Sequence, residues 1–96
     1  MHFITITTWE VPSGTDFDLT LRDVREKRLP ALQGFGATRV TVVRTSDRTA
    51  AIIAEWPDKF TRDTAELKID EVRRVAAKEE RIRLTGEMRG EIVADL

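Results

Sequence analysis

Side chains on three predicted strands have the chemistry of a small-molecule pocket: Thr5, Thr7, Trp9, Arg39, Thr41 and Trp56. Residues of like parity on neighbouring strands share a face of a sheet, so we expect these side chains to line one sheet face together. Indole rings can stack on a planar ligand, hydroxyl groups can hydrogen-bond to it, and a guanidinium can hold an anionic or carbonyl oxygen. The alternative is a filled dimer core, in which the tryptophans pack and Arg39 pairs with a partner carboxylate such as Glu87. The sequence leaves both interpretations open.

Metal and thiolate chemistry have few of their usual residues in this chain. There is no cysteine, and His2 is the single histidine, so we expect no metal site and no catalytic triad. Glu55 is a candidate general base, although a carboxylate at the rim of the sheet is the commoner case. Gly34-Phe35-Gly36 follows a helix and precedes a strand, which reverses the order that a dinucleotide-binding loop needs. We therefore expect no cofactor.

The composition is that of a single globular domain. Hydrophobic residues make up 41% and charged residues 34% of the chain, a composition that suits one hydrophobic core. A length of 96 residues is too short for two domains. The 16 basic and 17 acidic side chains give a net charge of -1, without the positive excess that drives binding to nucleic acid or anionic lipid. No apolar run approaches the length of a membrane span. We expect a single cytoplasmic domain that binds neither nucleic acid nor membranes.

The hydrophobic periodicity predicts the order strand, helix, strand, strand, helix, strand. The predicted strands are Phe3 to Val11, Ala37 to Arg44, Thr49 to Trp56 and Leu84 to Val93. The first helix begins at Thr15, kinks or breaks near Pro30 and stops at Gly34. The second helix is capped by Asp58 and runs from Lys59 to Ile82.

The second predicted helix carries two adjacent apolar stripes. One consists of Ala65, Ile69, Val72 and Ala76, and the other of Phe60, Thr64, Leu67 and Val75. This face is wider than one helix needs to lie on a sheet. We expect part of it to meet the first helix or another subunit.

The second and third strands form a hairpin around the polar turn Thr45-Ser46-Asp47-Arg48. A symmetric loop would place Arg39 opposite Ala54 across the ladder. Strands of this parity put a further set of large side chains on the sheet face that carries the pocket candidates: Val43, Ile52 and Trp56.

Right-handed crossovers turn this order of elements into an α+β, ferredoxin-like βαββαβ sandwich, in which a four-stranded antiparallel sheet has both helices on one face. The hairpin is apolar on both faces, but the helices cover only one of them. An exposed apolar sheet face of this size marks an interaction site, and twofold dimers are the commonest oligomers. We therefore predict a homodimer that assembles sheet to sheet.

Three segments carry a resemblance to a known family. They are Ile4-Thr5-Ile6-Thr7-Thr8-Trp9, Leu29-Pro30-Ala31-Leu32-Gln33-Gly34-Phe35 and Ala54-Glu55-Trp56-Pro57-Asp58-Lys59-Phe60. With them the chain resembles the dimeric α+β barrel superfamily, and most closely its small antibiotic-biosynthesis-monooxygenase-like (ABM-like) proteins. The resemblance implies the fold above. Its members include cofactor-free oxygenases of quinols and polyketides, haem-degrading enzymes and many proteins with no assigned activity. Many carry a histidine early in the second helix, where this chain reads Thr61-Arg62-Asp63-Thr64-Ala65.

We favour a small dimeric α+β barrel protein that binds a small organic molecule, with planar aromatic compounds among the candidates, on the sheet face. The alternatives are a cofactor-free monooxygenase-like enzyme and a non-catalytic assembly module with a filled dimer core. A cavity would separate the first two functions from the third. Turnover with oxygen consumption would separate the enzyme from the binding protein.

Overall fold

An antiparallel sheet forms the centre of the computed structural model, which describes residues 2–79 and 82–96. Its strands are β1 (Phe3–Glu10), β2 (Arg39–Arg44), β3 (Thr49–Trp56) and β4 (Arg83–Glu91). The spatial order is β2-β3-β1-β4, and each neighbouring pair is antiparallel. The predicted ferredoxin-like βαββαβ architecture with its four-stranded sheet is confirmed.

The first helical segment consists of α1 (Phe17–Asp23), a π-helical turn (Val24–Arg28) and α2 (Leu29–Gly34). The Leu29 N–H donates to the Val24 carbonyl, five residues back instead of four. The prediction was a kink or break near Pro30, and the structure has a π-helical turn that ends just before Leu29. Leu29 itself keeps helical torsion angles, and the wider turn accommodates the proline ring, which would crowd the carbonyl of the preceding turn in an α-helix.

The second helical segment is divided into α3 (Lys59–Thr64) and α4 (Glu66–Glu79). The predicted helix was continuous to Ile82, but it is interrupted at Ala65, and its positions 80 and 81 lie outside the described residues. The stripe of Ala65, Ile69 and Ala76 is buried, whereas Phe60 and Leu67 of the other stripe are 78% and 82% exposed. Within residues 2–79 and 82–96, no helix combines the length and apolar character of a membrane span.

The hairpin register differs from the prediction by one residue. Arg39 lies opposite Glu55 rather than Ala54, and Thr41 lies opposite Ile53. The loop is asymmetric, because the N–H groups of Thr45 and Ser46 both donate to the Thr49 carbonyl, at 3.0 and 3.3 Å. A slip of one residue moves every side chain of a strand to the other face of the sheet.

The two faces of the sheet therefore carry different side chains. The helix-side face, which packs against the helices, carries Thr5, Thr7, Trp9, Ile52, Ala54 and Trp56. The open face carries Ile4, Ile6, Arg39, Thr41, Val43, Ala51, Ile53, Glu55 and Met88. The prediction that put Ile52 and Trp56 on an uncovered face with Val43 is wrong, because the one-residue slip of the hairpin separates Val43 from the other two. Val43 alone lies on the open face, where it is 41% exposed.

Candidate functional site

A cavity between the helix-side face and the helices brings together four of the predicted site residues, Thr5, Thr7, Trp9 and Trp56. The indole N–H of Trp9 donates to Thr7 Oγ1 at 2.8 Å, and that of Trp56 donates to Thr5 Oγ1 at 3.2 Å. All four side chains are buried, so each indole nitrogen finds its acceptor out of reach of bulk water. The threonines thus fix the orientation of both rings beside the cavity.

Arg39 and Thr41 do not line this cavity. Both lie on the open face, and the Arg39 side chain is exposed. The prediction that all of the candidate residues share one face is wrong for these two, because the asymmetric loop shifts β2 relative to β3. Glu55, the candidate general base, is half-buried on the open face, opposite Arg39.

Arg62 enters the cavity from α3 and is 1% exposed. Asp58 caps this short helix by accepting hydrogen bonds from the Thr61 N–H and hydroxyl, both at 2.7 Å. On the other side Gly36, with φ +114°, approaches Thr61 so closely that a Cβ would lie 2.7 Å from Thr61 Cγ2. Only glycine permits both this torsion angle and this approach. The start of α3 is therefore held on two sides, which fixes how Arg62 enters the core.

The Arg62 guanidinium contacts a carboxylate and an aromatic ring. Its Nη1 donates to Glu66 Oε2, and its Cζ lies 5.8 Å from the centre of the Trp56 ring, a cation–π distance. Its Nη2 is buried and has no hydrogen-bond partner among the described residues. A buried donor without an acceptor costs about 1–3 kcal/mol. This atom is therefore a place where an acceptor would stabilise the protein.

Arg28 reaches the same cavity from the last position of the π-helical turn and is 6% exposed. Desolvation lowers the pKa of its guanidinium to about 10, and the charge of Asp23 opposes this shift. Arg28 is therefore charged at neutral pH. π-Helical turns occur frequently at functional sites, and this one delivers a cation to the cavity wall.

An ion-pair rim, formed by Glu66, Arg73, Glu87 and Arg89, borders the cavity between α4 and β4. Arg73 Nη1 donates to Glu87 Oε2 at 3.0 Å, and Arg89 Nη1 donates to Glu66 Oε2 at 3.4 Å. Arg89 Nη2 also donates to Glu87. Burial alone would raise the pKa of both carboxyl groups, but the neighbouring guanidiniums outweigh it and hold each pKa below the ordinary 4.5. Both glutamates are therefore charged at neutral pH and hold the rim together.

The cavity encloses about 40 Å³. One water needs roughly 10–15 Å³ on this measure, so the space holds about three water-sized groups. The ionisable side chains in the described part of its lining are Arg28, Arg62 and Arg73. They supply positive charge and hydrogen-bond donors rather than a group that exchanges protons near neutral pH. The arrangement is suited to hold a small, electron-rich molecule beside two indole rings.

Arg28 and Arg62 are the lining residues that the sequence prediction missed. Arg28 continues the helical stripe of Leu21 and Val24, and Arg62 lies two helical turns before Ile69 on the buried stripe. A charged residue at a stripe position was the signal that could have identified each of them. Arg62 also falls in the segment where many members of the resembled family carry a histidine.

Solved structures of the same fold match almost the whole chain. A dimeric ferredoxin-like protein from an uncultured marine organism gives a TM-score of 0.75 at 13% identity, over 99% of this chain and 98% of its own. The fold is that of the dimeric ferredoxin-like proteins. The NE2512 protein of unknown function from Nitrosomonas europaea gives a TM-score of 0.70 at 17% identity, over 99% of this chain and 92% of its own.

A variant of the protein MhuD, crystallised with two manganese protoporphyrin IX molecules bound per active site, gives a TM-score of 0.62 at 17% identity, over 98% of this chain and 97% of its own. At such identities the likeness concerns the fold alone. At that level, the resemblance to the dimeric α+β barrel and ABM-like proteins is confirmed. No protein-family model matches the sequence, and no curated protein matches it.

Proposed function

We propose that this ferredoxin-like chain forms a homodimer and binds a small organic molecule in the cavity between the helix-side face and the helices. The observation that carries the binding proposal is the lining itself, which combines two indoles, two threonine hydroxyls and three guanidiniums. Arg62 is buried and its Nη2 has no hydrogen-bond partner among the described residues, and a buried donor is costly unless it meets an acceptor. An assembly module would gain more stability from an apolar side chain at this position, so the lining favours a binding function over a filled core.

The open face supports the homodimer. Ile4, Ile6 and Ile53 form an apolar band on it, and Met88 beside them is 67% exposed. An apolar surface of this kind marks a protein interface, and the two ferredoxin-like neighbours from marine organisms are dimeric. A second copy of the chain, related by a twofold axis, would cover the band with the same band.

The size of the cavity limits the ligand. Pockets for drug-sized molecules measure roughly 300–1,000 Å³, whereas this cavity encloses about 40 Å³. A porphyrin or a polycyclic substrate would need displacement of α4. The arginines of the lining supply no proton-transfer group, so we favour binding over the cofactor-free oxygenase alternative.

Tryptophan fluorescence tests this proposal directly, because the two tryptophans of the chain both line the cavity. We expect saturable quenching or a spectral shift with at least one member of a panel of small organic acids, amides and quinols. Val72→Phe should block the response, because Val72 lines the cavity. Val75→Phe is the matched control on the same helix, where residue 75 is 41% exposed.

The outcomes of this experiment separate the candidate functions. Saturable binding that survives Val72→Phe would place the ligand elsewhere and contradict the proposed site. The absence of a response to every compound would favour the filled assembly module. Oxygen consumption that accompanies conversion of a bound quinol would favour the enzyme.

A further inference from the structure

We infer that the cavity selects a short-chain monocarboxylate, whose carboxylate accepts a hydrogen bond from Arg62 Nη2 and whose apolar tail extends into a second void beside α1. This inference rests on the proposed function and names the class of its ligand.

The charge of the lining favours an anionic ligand. Arg28, Arg62, Arg73 and Arg89 line or border the cavity. None of the described lining side chains is acidic. A guanidinium donor to a carboxylate is among the strong hydrogen bonds of proteins.

The position of Arg62 Nη2 favours an acceptor inside the cavity. Arg62 is 1% exposed and its other terminal nitrogen already donates to Glu66. The Trp56 ring lies beside the guanidinium, and Arg62 lines the cavity, so we place the acceptor for Nη2 there. A carboxylate there would satisfy the donor and would also lie in the field of Arg28.

The shape of the space favours a carboxylate with a short tail. The cavity of about 40 Å³ holds roughly three water-sized groups, the size of a carboxylate. A second void of about 30 Å³ shares Trp9, Arg28 and Ile52 with it. The rest of that void is mainly apolar, with Val11, Phe17, Leu21, Val42 and Ile82 in its lining. It holds roughly two methylene-sized groups. With one further carbon to join them to the carboxylate, we place the optimum near butyrate.

A comparison of acids with their amides tests the carboxylate. Acetate, butyrate and hexanoate are titrated at pH 7 and constant ionic strength beside acetamide, butyramide and hexanamide, with tryptophan fluorescence and the melting temperature as readouts. We expect butyrate to bind at least about tenfold more tightly than butyramide, because the amide forgoes a charge-assisted hydrogen bond. From acetate to butyrate, the affinity should rise about fourfold per methylene, and hexanoate should gain nothing further.

Two variants identify the donor. Arg62→Met should abolish the preference for acid over amide. Its melting temperature without ligand is measured as well, because the substitution retains much of the packing and removes a poorly satisfied buried donor but also breaks the pairing with Glu66. Arg74→Met should leave both properties unchanged, since Arg74 is exposed and pairs with Glu71. If Arg62→Met fails to fold, Arg62→Gln supplies a neutral side chain that can still hydrogen-bond to Glu66.

Each contrary outcome overturns a defined claim. Equal binding of butyrate and butyramide would overturn the carboxylate inference while the proposed function stands. Tighter binding of inorganic phosphate than of butyrate would assign a different ligand class. A preference for acids that persists in Arg62→Met would exclude Arg62 as the donor. If none of the acids or amides binds, this inference is overturned. If none of the quinols binds either, the proposed function is overturned as well.

Discussion

The two faces of the sheet are made from alternate residues of the same strands, and they carry different kinds of side chain. Ile52 packs under the helices, while its neighbour Ile53 belongs to the open face. The helix-side face buries hydroxyls and indoles and lies beside two buried guanidiniums, whereas the open face exposes aliphatic side chains to solvent. Apolar side chains alone would point to the open face as the site of activity. Buried polar groups are the rarer observation and therefore the more informative one, and they lie on the other side.

The largest contrast between the faces should come from charges introduced at adjacent positions. Ile52→Glu buries a carboxylate at a site that is 7% exposed, which costs several kcal/mol and should abolish cooperative folding. Ile53→Glu should retain the native circular dichroism spectrum and shift the protein from dimer to monomer. Urea unfolding and light scattering measure the two effects. A dimer that persists in Ile53→Glu, with Ile53→Val as the conservative control, would show that the open face is not the interface.

A smaller contrast should come from removing one hydroxyl on each face. Thr7→Val leaves the buried Trp9 Nε1 without its acceptor at 2.8 Å and should cost about 1–3 kcal/mol. Thr8→Val removes an exposed hydrogen bond to Thr85 and should change stability by at most about 0.5 kcal/mol. The free energies of unfolding of the two variants give the comparison. Equal losses would mean that the tryptophan–threonine pairs are not what stabilises the helix-side face.

The smallest effect should appear in acid. The pKa of Glu66 lies below its ordinary 4.5 in the folded protein, so its contribution to stability is present above pH 4.5 and is lost as the pH falls through the folded pKa. Glu66→Gln should therefore be less stable than the native protein at pH 7, and the difference should shrink below pH 4.5. Glu55→Gln on the open face is the matched control. A stability difference that is constant from pH 7 to pH 3 would contradict the role of the rim.

The sequence was sufficient for the order of the elements, because each has its own period and its own stop signal. It was also sufficient to place Thr5, Thr7 and Trp9 on one face, since parity within a strand needs no information about the neighbouring strand. The face of Arg39 was not predictable in the same way. It depends on whether one residue of the loop after Arg44 belongs to the turn or to the ladder, and hydrogen bonds at Thr49 decide this.

The two buried arginines were hidden for a different reason. Arginine is usually exposed, so a sequence pattern assigns it to the solvent-exposed face of a helix. The burial of Arg62 depends on the interruption of the helix at Ala65 and on the tight contact of Gly36 with Thr61. Both are tertiary features, in which distant parts of the chain decide the direction of a local helix.

The π-helical turn Val24–Arg28 allows the charge of the cavity to change in evolution while the sheet stays the same. A turn of this kind contains one residue more than an α-helical turn, and the helix on either side is unaffected. Deleting that residue would rotate α2 by about 100° relative to α1 and carry Arg28 away from the cavity wall. Descendants of one ancestral chain could thus keep the same sheet and the same open face, and exchange one ligand class for another through a single codon gained or lost.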